Sequence, residues 1–198
     1  MEILGKILGN QARIKIMRLF LLNKGQGFLN KEIVKRSRVN AGVARREINL
    51  LSSVKFIKRK GKDWTFDPNF KYAFEFERLL VSSDTIDRNT IVNNFKKAGK
   101  IKFLLLSGVF IKNRDNRVDI LVVGDKLKRS KIEEEIKKLE AEIGTEIVYA
   151  LFETPEFNYR LNMYDKLVRD ILDFPHEVIF KSKELSQALI SSVRNIKS

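Results

Sequence analysis

Residues 28–66 read FLNKEIVKRSRVNAGVARREINLLSSVKFIKRKGKDWTF. Asn30 is a helix-capping residue type, and Ile33 and Val34 point one way, so a short helix is expected over Asn30–Ser37. Val39 follows, and a second helix is expected from Asn40 to Ser53. Its Ala44, Ile48 and Leu51 recur at i, i+4 and i+7, which makes one buried face. The opposite face shows Ala41, Gly42, Arg45, Arg46 and Asn49. Phe56–Lys60 and Trp64–Asp67 then read as short strands around the turn Gly61-Lys62-Asp63. Strand alternation puts Trp64 and Phe66 on one side, which favours a core role over base stacking.

Upstream, Asn10–Leu22 carries apolar residues at Ile14, Ile16, Met17, Leu19, Phe20 and Leu21, a stripe wide enough for a core helix that Gly25 and Gly27 end. Downstream, Pro68 can open a helix. Phe70, Tyr72, Phe74 and Phe76 alternate at period 2, yet Glu75, Glu77, Arg78 and Leu79 continue a helical pattern, and helix is favoured. A further helix is expected from Asp84 or Thr85 to Ala98, closed by Gly99.

From Lys100 strands and helices alternate. Strands are expected at Ile101–Phe110, Arg117–Val123, Glu146–Phe152 and Glu177–Phe180. Ser130-Lys131-Ile132-Glu133 has capping-box form and opens a helix with Ile132, Ile136, Leu139 and Ile143 on one face. Shorter helices follow from Pro155 to Leu161 and from Asp165 to Leu172, and a terminal helix is expected at Lys183–Ile196. The fold class is therefore α/β (α+β). Three segments are expected: a helical unit closed by a hairpin at 1–68, a helical connector at 69–99, and an α/β domain with a small mixed sheet at 100–198.

Composition narrows the function. The 198 residues hold 39 Lys+Arg against 25 Asp+Glu, a net charge of +14. Residues 1–80 hold 18 Lys+Arg against 7 Asp+Glu, a net of +11, which leaves +3 for the rest. Charge concentrated on a small folded unit is the footprint of a polyanion binder. It also suits a solubility device or a patch for acidic proteins. There is no cysteine, which excludes disulfides, cysteine metal sites and thiol nucleophiles. The one histidine, His176, has no evident catalytic partner. The longest apolar run, Ile147–Phe152, is far below the ~20 residues of a membrane span, and Lys15 and Arg18 interrupt any leader-like stretch. A cytoplasmic protein with no membrane contact and no cofactor is expected.

The 28–66 stretch resembles winged helix-turn-helix transcriptional regulators. NKEIVKRSRV matches the positioning helix and turn, NAGVARREINLL the recognition helix, and KFIKRKGKDWTF the wing. Lys55 stands where such proteins usually have Gly, so a wider turn is expected there. The resemblance implies a recognition helix in the major groove. Arg45 and Arg46 then suit guanine O6/N7, Asn49 suits adenine N6/N7, and Asn40, Ala41 and Gly42 permit close approach to the duplex. Lys35, Arg36 and Arg38 suit phosphates, and Lys58, Arg59, Lys60 and Lys62 on the wing suit the backbone or the minor groove. Each of these is otherwise a solvated charge.

The second half resembles the minimal nucleotidyltransferase fold in LLLSGVF (104–110) and RVDILVVGD (117–125). That family sets a Gly-Ser step on one strand and paired carboxylates at i, i+2 on the next, which hold metal ions on nucleotide phosphates. Here Asp119 is flanked at i−2 by Arg117 and at i+2 by Leu121, and the Gly-Ser step reads Ser107-Gly108-Val109. Glu146 is a further candidate carboxylate. A degenerate, pseudoenzyme domain without catalytic or metal-binding residues is expected. Ser107, Gly108, Arg117 and Asp119 either bind a nucleotide ligand, or Arg117 and Asp119 form an ion pair at a sheet edge. The combination, with LNMYDKLVRDILDFPHEVIF (161–180), resembles small prokaryotic regulators. It implies double-stranded DNA and a second copy of the chain as partners, with ligand sensing or oligomerisation in the second domain. Phe70–Phe76 serve either the dimer or packing between domains. The alternative is a metal-dependent nucleotidyltransferase acting on protein or RNA.

Overall fold

The computed structural model describes residues 3–81, 86–113 and 115–185. The chain divides into two compact units, Met1–Thr85 with Ile136–Glu146, and Ile86–Glu135 with Ile147–Ser198. These do not coincide with the three expected segments. The second half of a helix expected in the α/β domain belongs to the first unit.

In the first unit α1 (Ile3–Ile7) precedes α2 (Gln11–Leu22). Asn10 caps α2, its side chain accepting from the Ala12 amide at 2.9 Å. Ile14, Ile16, Met17, Arg18, Leu19, Phe20 and Leu21 are all buried, so α2 is the central helix of its unit. Around it stand α3 (Asn30–Ser37), α4 (Ala41–Ser53), the antiparallel hairpin β1 (Ile57–Lys60) and β2 (Asp63–Phe66), and α5 (Ala73–Leu80). Phe28 and Trp64 add a bridge to the hairpin by exchanging both backbone hydrogen bonds at 2.9 Å. The core joins Phe20, Phe28, Ile33, Ala44, Ile48, Leu51, Phe56 and Phe66. Edge-on ring pairs run through it, Phe20 to Phe28 at 5.6 Å and Phe56 to Phe66 at 5.4 Å.

Three local expectations are corrected. Leu29, not Asn30, is the N-cap of α3, and Glu32 accepts from its amide at 2.7 Å. Asn30 instead accepts the Trp64 indole N–H at 2.8 Å, because a buried indole needs an acceptor. The turn after α4 is not widened by the missing glycine. Lys55 itself takes φ +60, and its amide and that of Phe56 donate to Ser52 and Leu51, closing a Schellman turn. Phe70 and Phe76 pack against the first unit's own core, while Phe74 is 65% exposed.

The remaining part of this unit is the second half of α7 (Arg129–Ile143) and the residues after it. Gly144 ends α7 at φ +95, its amide donating to Glu140 at 2.7 Å. Buried Arg18 meets this end, donating to the carbonyls of Leu80 at 2.6 Å and Glu142 at 3.0 Å. One guanidinium thus covers the C-terminal ends of two helices, where carbonyls and the helix dipole favour a cation. A Cβ on Gly144 would stand 2.6 Å from the Arg18 carbonyl carbon. Gly144→Ala should therefore destabilise this unit by about 2–5 kcal/mol, adding the left-handed backbone penalty to overpacking. A denaturant melt reads this, and wild-type stability in the variant would refute the docking described.

The second unit is built on a four-stranded mixed sheet in the order β5-β4-β3-β6. Its strands are β3 (Lys100–Leu106), β4 (Ile120–Asp125), β5 (Tyr149–Glu153) and β6 (Glu177–Lys181). β3 runs antiparallel to β4 and β6, and β4 runs parallel to β5. Phe103, Leu105, Leu121, Val123, Ala150 and Phe152 pack with Phe157 of α8 (Thr154–Asn162) and with Val168 and Ile171 of α9 (Lys166–Asp173). Leu104, Leu106, Ile120 and Val122, of opposite parity, are also buried, so both faces of the central strands are covered. α6 (Arg88–Lys96), capped by Asp87, packs on β3 and β6.

Here too boundaries move. β3 stops at Leu106, and Gly108–Phe110 turn as a 3-10 helix. β4 begins only at Ile120, so Arg117 and Asp119 precede it and the strand alternation does not govern them. Glu146 likewise lies before β5. α7 starts at Arg129 with Lys128 accepting its first bonds, so Ser130 lies inside the helix and forms no capping box. Asp84, Thr85 and most of the expected terminal helix lie outside the described residues.

Lys102 sits at a register shift in β3, its side chain only 5% exposed and hydrogen-bonded to Glu184. The bond from Lys102, together with its charge, draws the Glu184 carboxyl below the ordinary 4.5. The bond to Glu184 holds Lys102 above 10.5 despite burial. Glu184 therefore adds stability above its ordinary value that is lost as pH falls through the lowered one. Lys102 adds stability below 10.5 that is lost as pH rises through the raised value. In Lys102→Met, stability should fall less steeply below about pH 4.5 than in the wild type. Urea melts across that range check it, and parallel acid limbs would refute it.

Candidate nucleic-acid interface

The side chains expected on nucleic acid lie on α3, α4 and β1 of the first unit and in the turns that follow α3 and β1. On α4 the geometry begins with the cap, where Asn40 accepts from the Gly42 amide at 2.9 Å. Ala41 and Gly42 are exposed in the first turn and add almost no bulk. Arg45, Arg46 and Asn49 follow on the exposed face, while Ala44, Ile48 and Leu51 are buried on the other. Among the described residues neither Arg45 nor Arg46 has an ion-pair partner.

Glu47, the one acidic residue of α4, is turned inward. It accepts from Arg13 Nε at 2.8 Å and from Asn10 Nδ2 at 2.6 Å. The pair ties α4 to α2 and leaves the outer face of α4 purely cationic. Asn10 and Arg13 are positioning residues that sequence reading passed over. Arg13 and Glu47 lie 34 positions apart, and nothing local marks them as partners.

The surrounding cations divide into free and engaged. Lys35 and Arg38 are exposed, with Arg38 at φ +52 in the turn between α3 and α4. Arg36 is not free for a phosphate. It pairs with Glu146 at 2.8 Å and lies over the Phe28 ring at 5.2 Å. On β1, Lys58 pairs with Asp67 at 3.2 Å. The Asn69 amide, then Lys58, hold the Asp67 carboxyl below the ordinary carboxylate range, so it stays charged at neutral pH. Arg59 lies over the Trp64 indole at 5.2 Å, and its Nε donates to the Gly61 carbonyl at 3.4 Å. Lys60 and Lys62, at the hairpin turn, are exposed and have no ion-pair partner among the described residues. Trp64 and Phe66 are buried and offer no stacking surface.

In the second unit Ser107, Gly108 and Asp119 come together, and Arg117 does not join them. Asp119 is 8% exposed. Its Oδ1 accepts from the Val109 amide and its Oδ2 from the Val148 amide, both at 2.8 Å. Ser107 is buried and its hydroxyl donates to the Val118 carbonyl. Gly108 at φ +53 lets the backbone pass the carboxylate, since a Cβ there would stand 1.9 Å from Asp119 Oδ1. Arg117 pairs with Asp170 at 3.0 Å. So the ion pair expected between Arg117 and Asp119 is not formed. Asp119 is instead a bracket between two chain segments. Its oxygens are engaged by amides, and a second carboxylate is missing, so these residues do not fit the metal pair of the resembled transferases. Among the described residues no group of three or more His, Asp or Glu is placed to hold a metal ion. His176 Nδ1 lies 2.8 Å from the Phe174 carbonyl.

Among the described residues no helix is long and apolar enough to cross a membrane. No family model matches the chain, and neither a curated protein nor a solved structure is detectably similar to it.

Proposed function

We propose that the chain is a DNA-binding transcriptional regulator whose first unit works as a winged helix-turn-helix. The observation that carries this is the outer face of α4. Two arginines without ion-pair partners among the described residues and Asn49 stand there beside the bulk-free Ala41 and Gly42, and the only carboxylate of the helix is neutralised inside. In this reading α4 enters the major groove, with Arg45 and Arg46 on guanine edges and Asn49 on adenine. Lys35 and Arg38 meet phosphates on one side, and Lys60 and Lys62 at the hairpin turn meet them on the other.

One such unit reads few base pairs, so a homodimer on two half-sites is part of the proposal. α5 exposes Phe74, with Arg78 over its ring, and Leu79, with Glu75 beside them, a mixed surface with both charge signs that a second copy can complement. The second unit is then a nucleotidyltransferase-like fold without transfer chemistry, serving as a sensor or in assembly. The engagement of both Asp119 oxygens disfavours the transferase alternative.

Selection of bound duplexes from a random library at near-physiological salt tests the proposal. Enrichment of one motif, repeated about one helical turn apart, is expected. Absence of any enriched motif would overturn it. So would Mg²⁺-dependent transfer of a labelled nucleotide that disappears in Asp119→Ala, for the second unit.

A further inference from the structure

The first unit holds an open cavity of about 650 Å³ beside α3, which is within the size range of small-molecule sites. Leu19, Val34 and Val39 give it an apolar floor. Lys35 and Arg38 reach it from the α3–α4 corner, and Lys137 from α7. Of the carboxylates that line it, Glu146 pairs with Arg36, while Glu32 accepts from the Leu29 amide and keeps its charge. Lys35, Arg38 and Lys137 have no ion-pair partner among the described residues. Four cations thus stand against three carboxylates around an apolar floor, a net of +1, and three of those cations have no ion-pair partner among the described residues.

We infer that this cavity binds a small organic anion, a carboxylate or phosphate monoester on an aliphatic or aromatic body, and that the anion antagonises DNA binding. The antagonism rests on the DNA-binding reading above; the binding itself does not. Lys35 and Arg38 serve both surfaces. An anion that takes both removes two phosphate contacts, so the slope of log K against log salt should flatten by up to about 1.8. Because the coupling is reciprocal, bound DNA weakens the anion by the same factor.

The test uses 8-anilinonaphthalene-1-sulfonate, an anion on an aromatic body that brightens in apolar sites, with the full chain and no DNA. Saturable one-site binding is expected, weakened roughly tenfold in Lys137→Met, which keeps the apolar stem and removes one charge-assisted contact. Lys137 is exposed and outside the DNA-facing set, so this variant should fold and bind DNA as the wild type does. Arg45→Ala should leave dye affinity unchanged. The dye should then release fluorescent duplex from the wild type and release it poorly from Lys137→Met. Unsaturable dye binding, or binding unaltered by Lys137→Met but lost in Phe74→Asp, overturns the site. Site-specific dye binding with no effect on bound duplex overturns the antagonism. Site-specific dye binding by a chain that binds no duplex upholds the site and refutes the DNA reading alone.

Discussion

Arg45→Ala combined with Arg46→Ala should weaken binding to a selected duplex by about 2–6 kcal/mol, at roughly 1–3 kcal/mol for each bidentate contact to a base. That is a loss between about 30-fold and 10⁴-fold. Both side chains are exposed and lack ion pairs among the described residues, so the variant should keep its stability within about 0.5 kcal/mol. A melt therefore separates lost contacts from lost fold. The pattern across sequences carries as much as the magnitude. Arginines that read bases lose their effect on nonspecific duplex and relax preference at the contacted positions. Lys60→Ala and Lys62→Ala, by contrast, should weaken every duplex alike and reduce the salt slope by about 0.9 each. Fluorescence anisotropy at several salt concentrations measures both. Equal binding of the wild type and the double variant across the selected library would remove α4 from the interface.

Asp119→Ala should destabilise the second unit by about 2–6 kcal/mol. The carboxylate accepts from two amides, Val109 and Val148, and each buried amide left without an acceptor costs about 1–3 kcal/mol. The value should fall in the lower half of that range, because Val148 is at the surface and water can take up its amide. Gly108→Ala should be similarly damaging, since its Cβ would displace the same carboxylate. A catalytic carboxylate behaves differently. Its removal abolishes activity and often leaves stability intact or improved, because active sites hold strain. Denaturant unfolding of Asp119→Ala with and without Mg²⁺ separates the two roles. Wild-type stability in the variant, or a Mg²⁺-dependent gain that only the wild type shows, would contradict the bracket described here.

The helices α2, α3 and α4 were legible because their signal is local, whereas α1 was not foreseen. Ala44, Ile48 and Leu51 repeat at the helical period, and all three are buried. The hairpin was legible from Gly61 and the flanking strand residues, and Trp64 and Phe66 face inward as alternation requires. The concentration of charge was plain from composition. What it could not show is which cations are free. Arg36 and Glu146 are 110 positions apart, and Lys58 and Asp67 face each other only once the hairpin closes. The expectation for Asp119 failed for another reason. Its partners are backbone amides, and residue identity carries no trace of them.

Local periodicity and charge were therefore set by the sequence alone: where the main helices and strands lie, which face of each is apolar, and where positive charge accumulates. Pairing over long separations was decided only by the tertiary structure. It turned Glu47 inward onto Arg13, quenched Arg36 and Lys58, and left Arg45, Arg46, Lys60 and Lys62 outward without ion-pair partners among the described residues. It also closed Asp119 onto two amides. The physical reason is one of range. Propensity acts within a few residues along the chain, whereas the pairing of a charge depends on what folding brings within about 4 Å of it.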